Sequence, residues 1–279
     1  MMNTKPTGVA LIALALLTWT GALYAKEAVV PGKTASETGP ATSGSVGGEF
    51  YAEQSVAHVD TVSGWVVDAN DWLDRGFLGA RHKQSALTSA DLGEPLVILT
   101  DSGSLVYPVT LTSPSGPMMD NVRLIPFAEQ RIIATGRVVT RAMERGLIID
   151  HVARVTEAGK ARTFTAREIA NKTVLGRVTA LSCWLGRLDT GAAHAQCALA
   201  HAEAGEPLIL VSDSGYMYYP VVRDTTTDPP DFTKLIKYCE QKVVVSGTVV
   251  TRGKARAIII DNVAAYTPVT EQGNLRSEK

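Results

Sequence analysis

The chain has 279 residues, with 27 Lys and Arg against 28 Asp and Glu, a formal net charge of −1, 45% hydrophobic residues and three cysteines. That balance excludes a disordered chain, a polytopic membrane protein and a disulfide-dense miniprotein. It also lacks the basic face that a nucleic-acid binder needs, so no nucleic-acid partner is expected.

From the N-terminus, Lys5 precedes an apolar run of 18 residues, Gly8 to Ala25, that ends in Leu23-Tyr24-Ala25 before Lys26 and Glu27. A basic residue, a short apolar core and a small residue at the cut read as a secretory signal peptide over 1–25. The alternative is an uncleaved anchor, since this length just reaches spanning size; Thr18, Thr20 and Gly21 weaken its second half as a span. A periplasmic or secreted protein is therefore expected, with no membrane contact beyond the signal. Residues 26–50 are rich in Pro, Gly, Ser and Thr and too poor in apolar surface to order, which makes them a flexible linker. Residues 268–279 form a polar tail that is expected to be disordered.

Between these ends the chain repeats itself. A shift of 112 places Val62-Ser63-Gly64 on Val174-Leu175-Gly176, Trp72-Leu73 on Trp184-Leu185 and His82 on His194. The same shift places Gly93-Glu94-Pro95-Leu96 on Gly205-Glu206-Pro207-Leu208, and Asp101-Ser102-Gly103 on Asp213-Ser214-Gly215. After the loss of one residue, a shift of 111 aligns Val138-Val139-Thr140-Arg141 with Val249-Val250-Thr251-Arg252. The reading is a tandem duplication, with units at 51–160 and 161–267.

Each unit predicts the same elements in the same order. A strand at Val59–Val67 (Thr173–Ala180 in the second unit) leads into a short helical insertion. A hairpin follows, Pro95–Thr100 and Ser104–Thr110, turned by Asp-Ser-Gly in both units. A short helix near Pro126–Gln130 (Phe232–Gln241) precedes two last strands, Arg131–Thr140 and Gly146–Val155 (Lys242–Thr251 and Ala255–Tyr266). Five strands with a helix between the third and fourth is the order of an OB-like barrel, so the fold class is mainly β, with one such barrel per unit. Another small β-barrel or roll is the alternative.

The second unit alone carries Cys183, His194, Cys197 and His201, the last three within the Ala-rich stretch Gly191–Gly205. That stretch predicts a helix ended by Gly205. At about 100° per residue its two His and one Cys fall in a stripe roughly 60° wide, with Leu199 off the stripe on the side expected to face the core. Cys and His are ligands for zinc and copper and also suit haem. His194 and His201 stand about 10.5 Å apart along a helix, so both reach one metal only if it sits near Cys197. Cys183 and Cys197 with one His form the easier set. The competing reading is a Cys183–Cys197 disulfide closing a loop of about 15 residues, worth roughly 3 kcal/mol. Cys239 reads as a small buried residue. In the first unit the counterparts of Cys183, Cys197 and His201 are Asp71, Ser85 and Ser89, and only His82 is kept. Any such chemistry therefore belongs to the second unit.

Trp72 and Trp184, Arg75 and Arg187, and Gln84 and Gln196 recur, and read either as a polar–aromatic recognition surface or as fold maintenance with Trp packing the helix on the barrel. Asp101 and Asp213 fit turns better than a calcium site. No hydrolase, P-loop, zincin or dinucleotide motif is present, so a non-enzymatic role is expected.

The runs Gly176-Arg177-Val178, Cys183-Trp184-Leu185, His194 to Ala198 and Gly205 to Leu208 resemble an uncharacterised group of small exported bacterial domains. That group carries a Cys-aromatic-Leu, His-x-x-Cys-Ala and Gly-x-Pro-Leu pattern. It has no activity to carry over. His201 stands where the group often has a further Cys, an exchange that keeps ligand capacity. The sequence thus points to an exported binding protein that holds a transition metal or haem, as an accessory to an exported redox system. The alternative is a disulfide-stapled module for a protein, peptide or oligosaccharide.

Overall fold

Alternating Val and Ile place one apolar face on each long strand: in Arg131–Arg141 buried and exposed positions take turns along the first seven residues. The computed structural model describes residues 58–91, 94–110, 119–156, 159–187, 190–221, 223 and 231–268. The expected signal peptide, the linker and all but Pro268 of the tail lie outside the described residues. Among the described residues, no helix is long and apolar enough to cross a membrane.

The chain is mainly β. Strands β1 (His58–Asp68), β2 (Leu96–Leu99), β3 (Leu105–Pro108), β4 (Arg131–Arg141) and β5 (Glu144–Arg154) close a barrel in the order β1-β2-β3-β5-β4. All neighbours are antiparallel except β3 and β5. Strands β6 (Ala166–Ala180), β7 (Leu208–Ser212), β8 (Met217–Pro220), β9 (Lys242–Arg252) and β10 (Ala255–Ala265) close a second barrel, again with its third and fifth strands parallel. The hairpin turns put Gly103 and Gly215 at φ 81°, a backbone region that favours glycine. Gly64 and Gly176 sit where a Cβ would collide with the carbonyl oxygens of Leu99 and Val211 on the neighbouring strand, so only glycine lets those strands approach.

Helical segments fill the gap after each first strand. In the first barrel α1 (Ala69–Arg75) and α2 (Lys83–Asp91) flank a 3-10 turn at Ala80–His82. In the second, a π-helical turn at Cys183–Arg187 replaces α1, and a 3-10 turn at Ala192–His194 runs into α4 (Ala195–Glu203). Before the fourth strand of each barrel stand α3 (Met119–Leu124) and α5 (Asp231–Ile236). The expected helix at Pro126–Gln130 is instead a three-residue 3-10 turn, Ile125–Phe127, directly after α3. Glu129 and Glu240 take positive φ, 59° and 58°, and end these segments before the next strand.

The described residues belong to one compact unit, 47–279, with three cores. One lies inside each barrel, around Val66, Ile98 and Leu147 in the first and Val178, Leu210 and Ile258 in the second. The third lies between the barrels and joins Trp72, Leu73 and Tyr107 to Trp184, Leu185 and Tyr219. An arginine from each barrel crosses this seam. Arg141 Nη1 donates to Trp184 O at 2.5 Å, and its guanidinium sits 5.1 Å over the Trp184 ring. Arg252 donates to the carbonyls of Leu73, Phe164 and Asp74. Each guanidinium satisfies carbonyls at a helix end that the neighbouring barrel buries, where an unpaired acceptor costs about 1–3 kcal/mol.

Trp72 and Trp184 are almost fully buried in this seam. Packed in the core shared by the two barrels, they serve the fold and leave no exposed recognition surface of their own.

Candidate metal centre

The residues of the site come from two short segments that the barrel wall brings together. Strand β6 ends at Ala180, and the π-helical turn carries Cys183 inward, where it is fully buried. Helix α4 runs back across the barrel on its alanines: Ala198 is fully buried and Ala202 nearly so. Such small side chains let the helix lie close to the wall. One turn apart on that helix, Cys197 is half-buried and His201 is 1% exposed. One ligand atom from each of Cys183, Cys197 and His201 lies within 4.8 Å of the other two.

The inward face of α4 corrects an expectation. The stripe with Cys197 and His201 turns to the interior, and Leu199 is only half-buried. Helix periodicity defines a stripe but not its direction. Buried Cys183, supplied by a different segment, gives the polar stripe something to meet.

His201 is oriented by a buried carboxylate. Its Nδ1 lies 2.6 Å from Glu206 Oε2, and Glu206 is also 1% exposed. The other oxygen, Oε1, accepts the backbone N–H of Ser182, next to Cys183. With Nδ1–H directed at a carboxylate, the lone pair remains on Nε2, the atom a metal needs. That Nε2 is buried and has no hydrogen-bond partner among the described residues.

A second buried acid sets the entry to the helix. Glu240 accepts from Thr179 Oγ1 at 2.5 Å and from the Gly191 N–H at 2.6 Å, fixing the 3-10 turn that leads into α4. Its counterpart Glu129 accepts from the Gly79 N–H in the first barrel. Residue type and spacing alone assigned no site role to Glu240, Glu129 or Glu206. A signal was present in the sequence: each of these glutamates has a glutamate at the matching position of the other unit.

Burial pushes the Cys183 thiol above its ordinary range, with the Glu206 charge and Cys197 adding to the effect. Burial and then Glu240 push Cys239 up to about 11. Cys239 packs in the same barrel core but stands outside the ligand group. No disulfide joins Cys183, Cys197 or Cys239 in the structure, so the expected Cys183–Cys197 staple finds no support there.

His194 also stands outside the group of three. Arg75 covers the Phe77 ring at 5.4 Å and donates to Arg223 O, while Gln84 and Gln196 are exposed. Asp101 pairs with Arg131 and Asp213 with Lys242, as turn-side charges do.

The first barrel holds a different set at the same place. Asp71 replaces Cys183 and Ser89 replaces His201. Asp68 Oδ1 there caps α1 by accepting the Asp71 N–H at 2.7 Å. Desolvation raises Asp68 to about 8, and Glu94 and Glu129 each to about 7.

Compared with known proteins, the chain matches no family model, and no curated protein or solved structure is significantly similar to it. The fold and the site define a β-barrel protein with a Cys/His group able to hold a metal ion.

Proposed function

We propose that this is an exported, non-enzymatic protein of two tandem OB-like barrels, the second of which holds a divalent transition metal, zinc, through Cys183, Cys197 and His201. The observation that carries the reading is the His201 ring. Its Nδ1 is held by a buried carboxylate, and its Nε2 is buried without a hydrogen-bond partner beside two cysteines. A buried polar atom left unpaired costs about 1–3 kcal/mol, and a metal ligated by Nε2 removes that cost.

Charge and size choose among the metals. Two thiolates neutralise a dication, whereas Cu⁺ would leave excess negative charge beside buried Glu206 and Glu240. Haem fits poorly, because the three ligand atoms face one another within 4.8 Å and leave no room for a macrocycle. The metal would supply cross-linking of β6 to α4; the chain's own part is to orient the imidazole through Glu206 and to exclude water with the alanine face of α4. The five-strand order in both barrels and the recurring sequence support the OB-like duplication. The N-terminal apolar run supports export.

The test uses the full mature chain, purified under reducing conditions without a metal-affinity tag. Titration with Zn²⁺ and elemental analysis after dialysis are expected to give one ion per chain. Cys183→Ser with Cys197→Ser is expected to abolish uptake. Reduced, folded protein that takes up no Zn²⁺ would refute the proposal.

A further inference from the structure

We propose that His194 is the fourth ligand, so that the metal sits in a closed Cys2His2 site with no position open to water or substrate. This rests on the metal reading above and adds the coordination number, which separates a structural or storage site from a reactive one.

The first observation is a second buried ring nitrogen. His194 Nε2, like His201 Nε2, is buried without a hydrogen-bond partner among the described residues. The contrast with the first barrel is informative. There His82, the counterpart of His194, stacks on Phe77 with ring centroids 4.1 Å apart. The residue that aligns with Phe77 is Asp189, which offers no ring to stack on. His82 therefore has a stacking partner for which the aligned position of the second unit supplies no aromatic ring, yet the imidazole is kept.

The second observation is that, among the described residues, the two acids beside the group are already engaged. Zinc bound by two Cys and one His needs a fourth donor to become tetrahedral. Both oxygens of Glu206 and both of Glu240 already accept hydrogen bonds. Cys239 lies outside the ligand group. His194 lies one helical turn before Cys197, and it joins the 3-10 turn to α4 with φ −100° and ψ −2°. Its backbone is already fixed, since its N–H donates to Gly191 O at 2.8 Å and Gly191 is itself held by Glu240.

The axial distance permits it. His194 and His201 are separated by about 10.5 Å of helical rise, so a metal level with the midpoint is about 5 Å from each along the axis. An imidazole with a Zn–N bond of about 2 Å spans roughly 6 Å from its Cα. Both rings reach one ion only when it sits over Cys197, and Cys197 is itself a ligand.

The experiment loads wild type, His194→Ala and His194→Cys with Zn²⁺ and with Co²⁺, and measures X-ray absorption, visible d–d bands and chelator competition. Wild type is expected to show two imidazoles by outer-shell scattering and an intense tetrahedral Co²⁺ spectrum. His194→Ala is expected to show one imidazole, an altered Co²⁺ spectrum and an affinity lower by about tenfold or more, since even outer-shell changes cost 10–100-fold. His194→Cys, which restores a donor, is expected to recover the tetrahedral spectrum. His82→Ala serves as the control and should leave all three readouts unchanged. A single imidazole in wild type, or unchanged affinity and spectrum in His194→Ala, would overturn the fourth ligand while leaving the three-ligand site standing. Absence of metal from wild type would overturn both.

Discussion

Replacing Glu206 by Gln tests the geometry of the site without changing a ligand. The carboxylate accepts two N–H groups, from His201 Nδ1 at 2.6 Å and from Ser182. A carboxamide has one acceptor oxygen and one donor NH2, so it can serve only one of them. Kept on Ser182, the oxygen leaves an NH2 against Nδ1, which forces the proton to Nε2 and removes the lone pair. Kept on His201, it leaves an NH2 against the Ser182 N–H and displaces the backbone beside Cys183. Either way the ligand is mispositioned, and a loss of 10–100-fold in Zn²⁺ affinity follows, or about 1.4–2.7 kcal/mol. One effect opposes this: removing the Glu206 charge makes the Cys183 thiol easier to ionise. It is the smaller effect, because burial is the main cause of the raised thiol and the substitution leaves burial intact. Chelator competition on folded wild-type and Glu206→Gln protein measures the outcome. Equal affinity would refute the claim that Glu206 sets the His201 tautomer.

Two further outcomes concern the fold. Asp68 is raised to about 8, and Glu94, Glu129 and Glu144 to about 7, all mainly by burial, so the folded state binds more protons than the unfolded chain between roughly pH 4 and 8. Their contribution to stability is present at pH 5 and is lost as pH rises through 7 to 8, and thermal melts should give a higher midpoint at pH 5 than at pH 8. The paired seam tyrosines should also differ: Tyr219 donates to Glu94 across the seam at 2.9 Å, whereas the buried Tyr107 hydroxyl has no hydrogen-bond partner among the described residues. Urea unfolding should show Tyr219→Phe destabilised by about 1–3 kcal/mol and Tyr107→Phe neutral or slightly stabilised; equal losses would show that the seam does not distinguish them.

Much of the architecture could be read from residue order. Strand positions followed from alternating β-branched residues and Asp-Ser-Gly turns, and they held to within a few residues for β1 to β5, β9 and β10. Strand β6 ran further, starting at Ala166 rather than Thr173. It continues across an irregularity between Ile169 and Lys172, with Asn171 at φ 54°, and pairs with β9 on both sides of it. A local pattern gives no warning of such a pairing. The grouping of Cys183 and Cys197 with one His was also legible from residue type and spacing, whereas the choice of His201 over His194 came from the fold.

What the sequence determined by itself is the repeated five-strand order and the presence of soft ligands in the second unit only. Both depend on residue type and spacing, which are local. The tertiary structure decided which way α4 faces, that the two tryptophans fill a seam between barrels, and that Glu206 and Glu240 serve the site from inside. Those outcomes depend on which surfaces meet after folding. A buried carboxylate has the same formula as an exposed one, and only its neighbours, brought from 5 residues away for His201 and 61 for Thr179, make it part of a site.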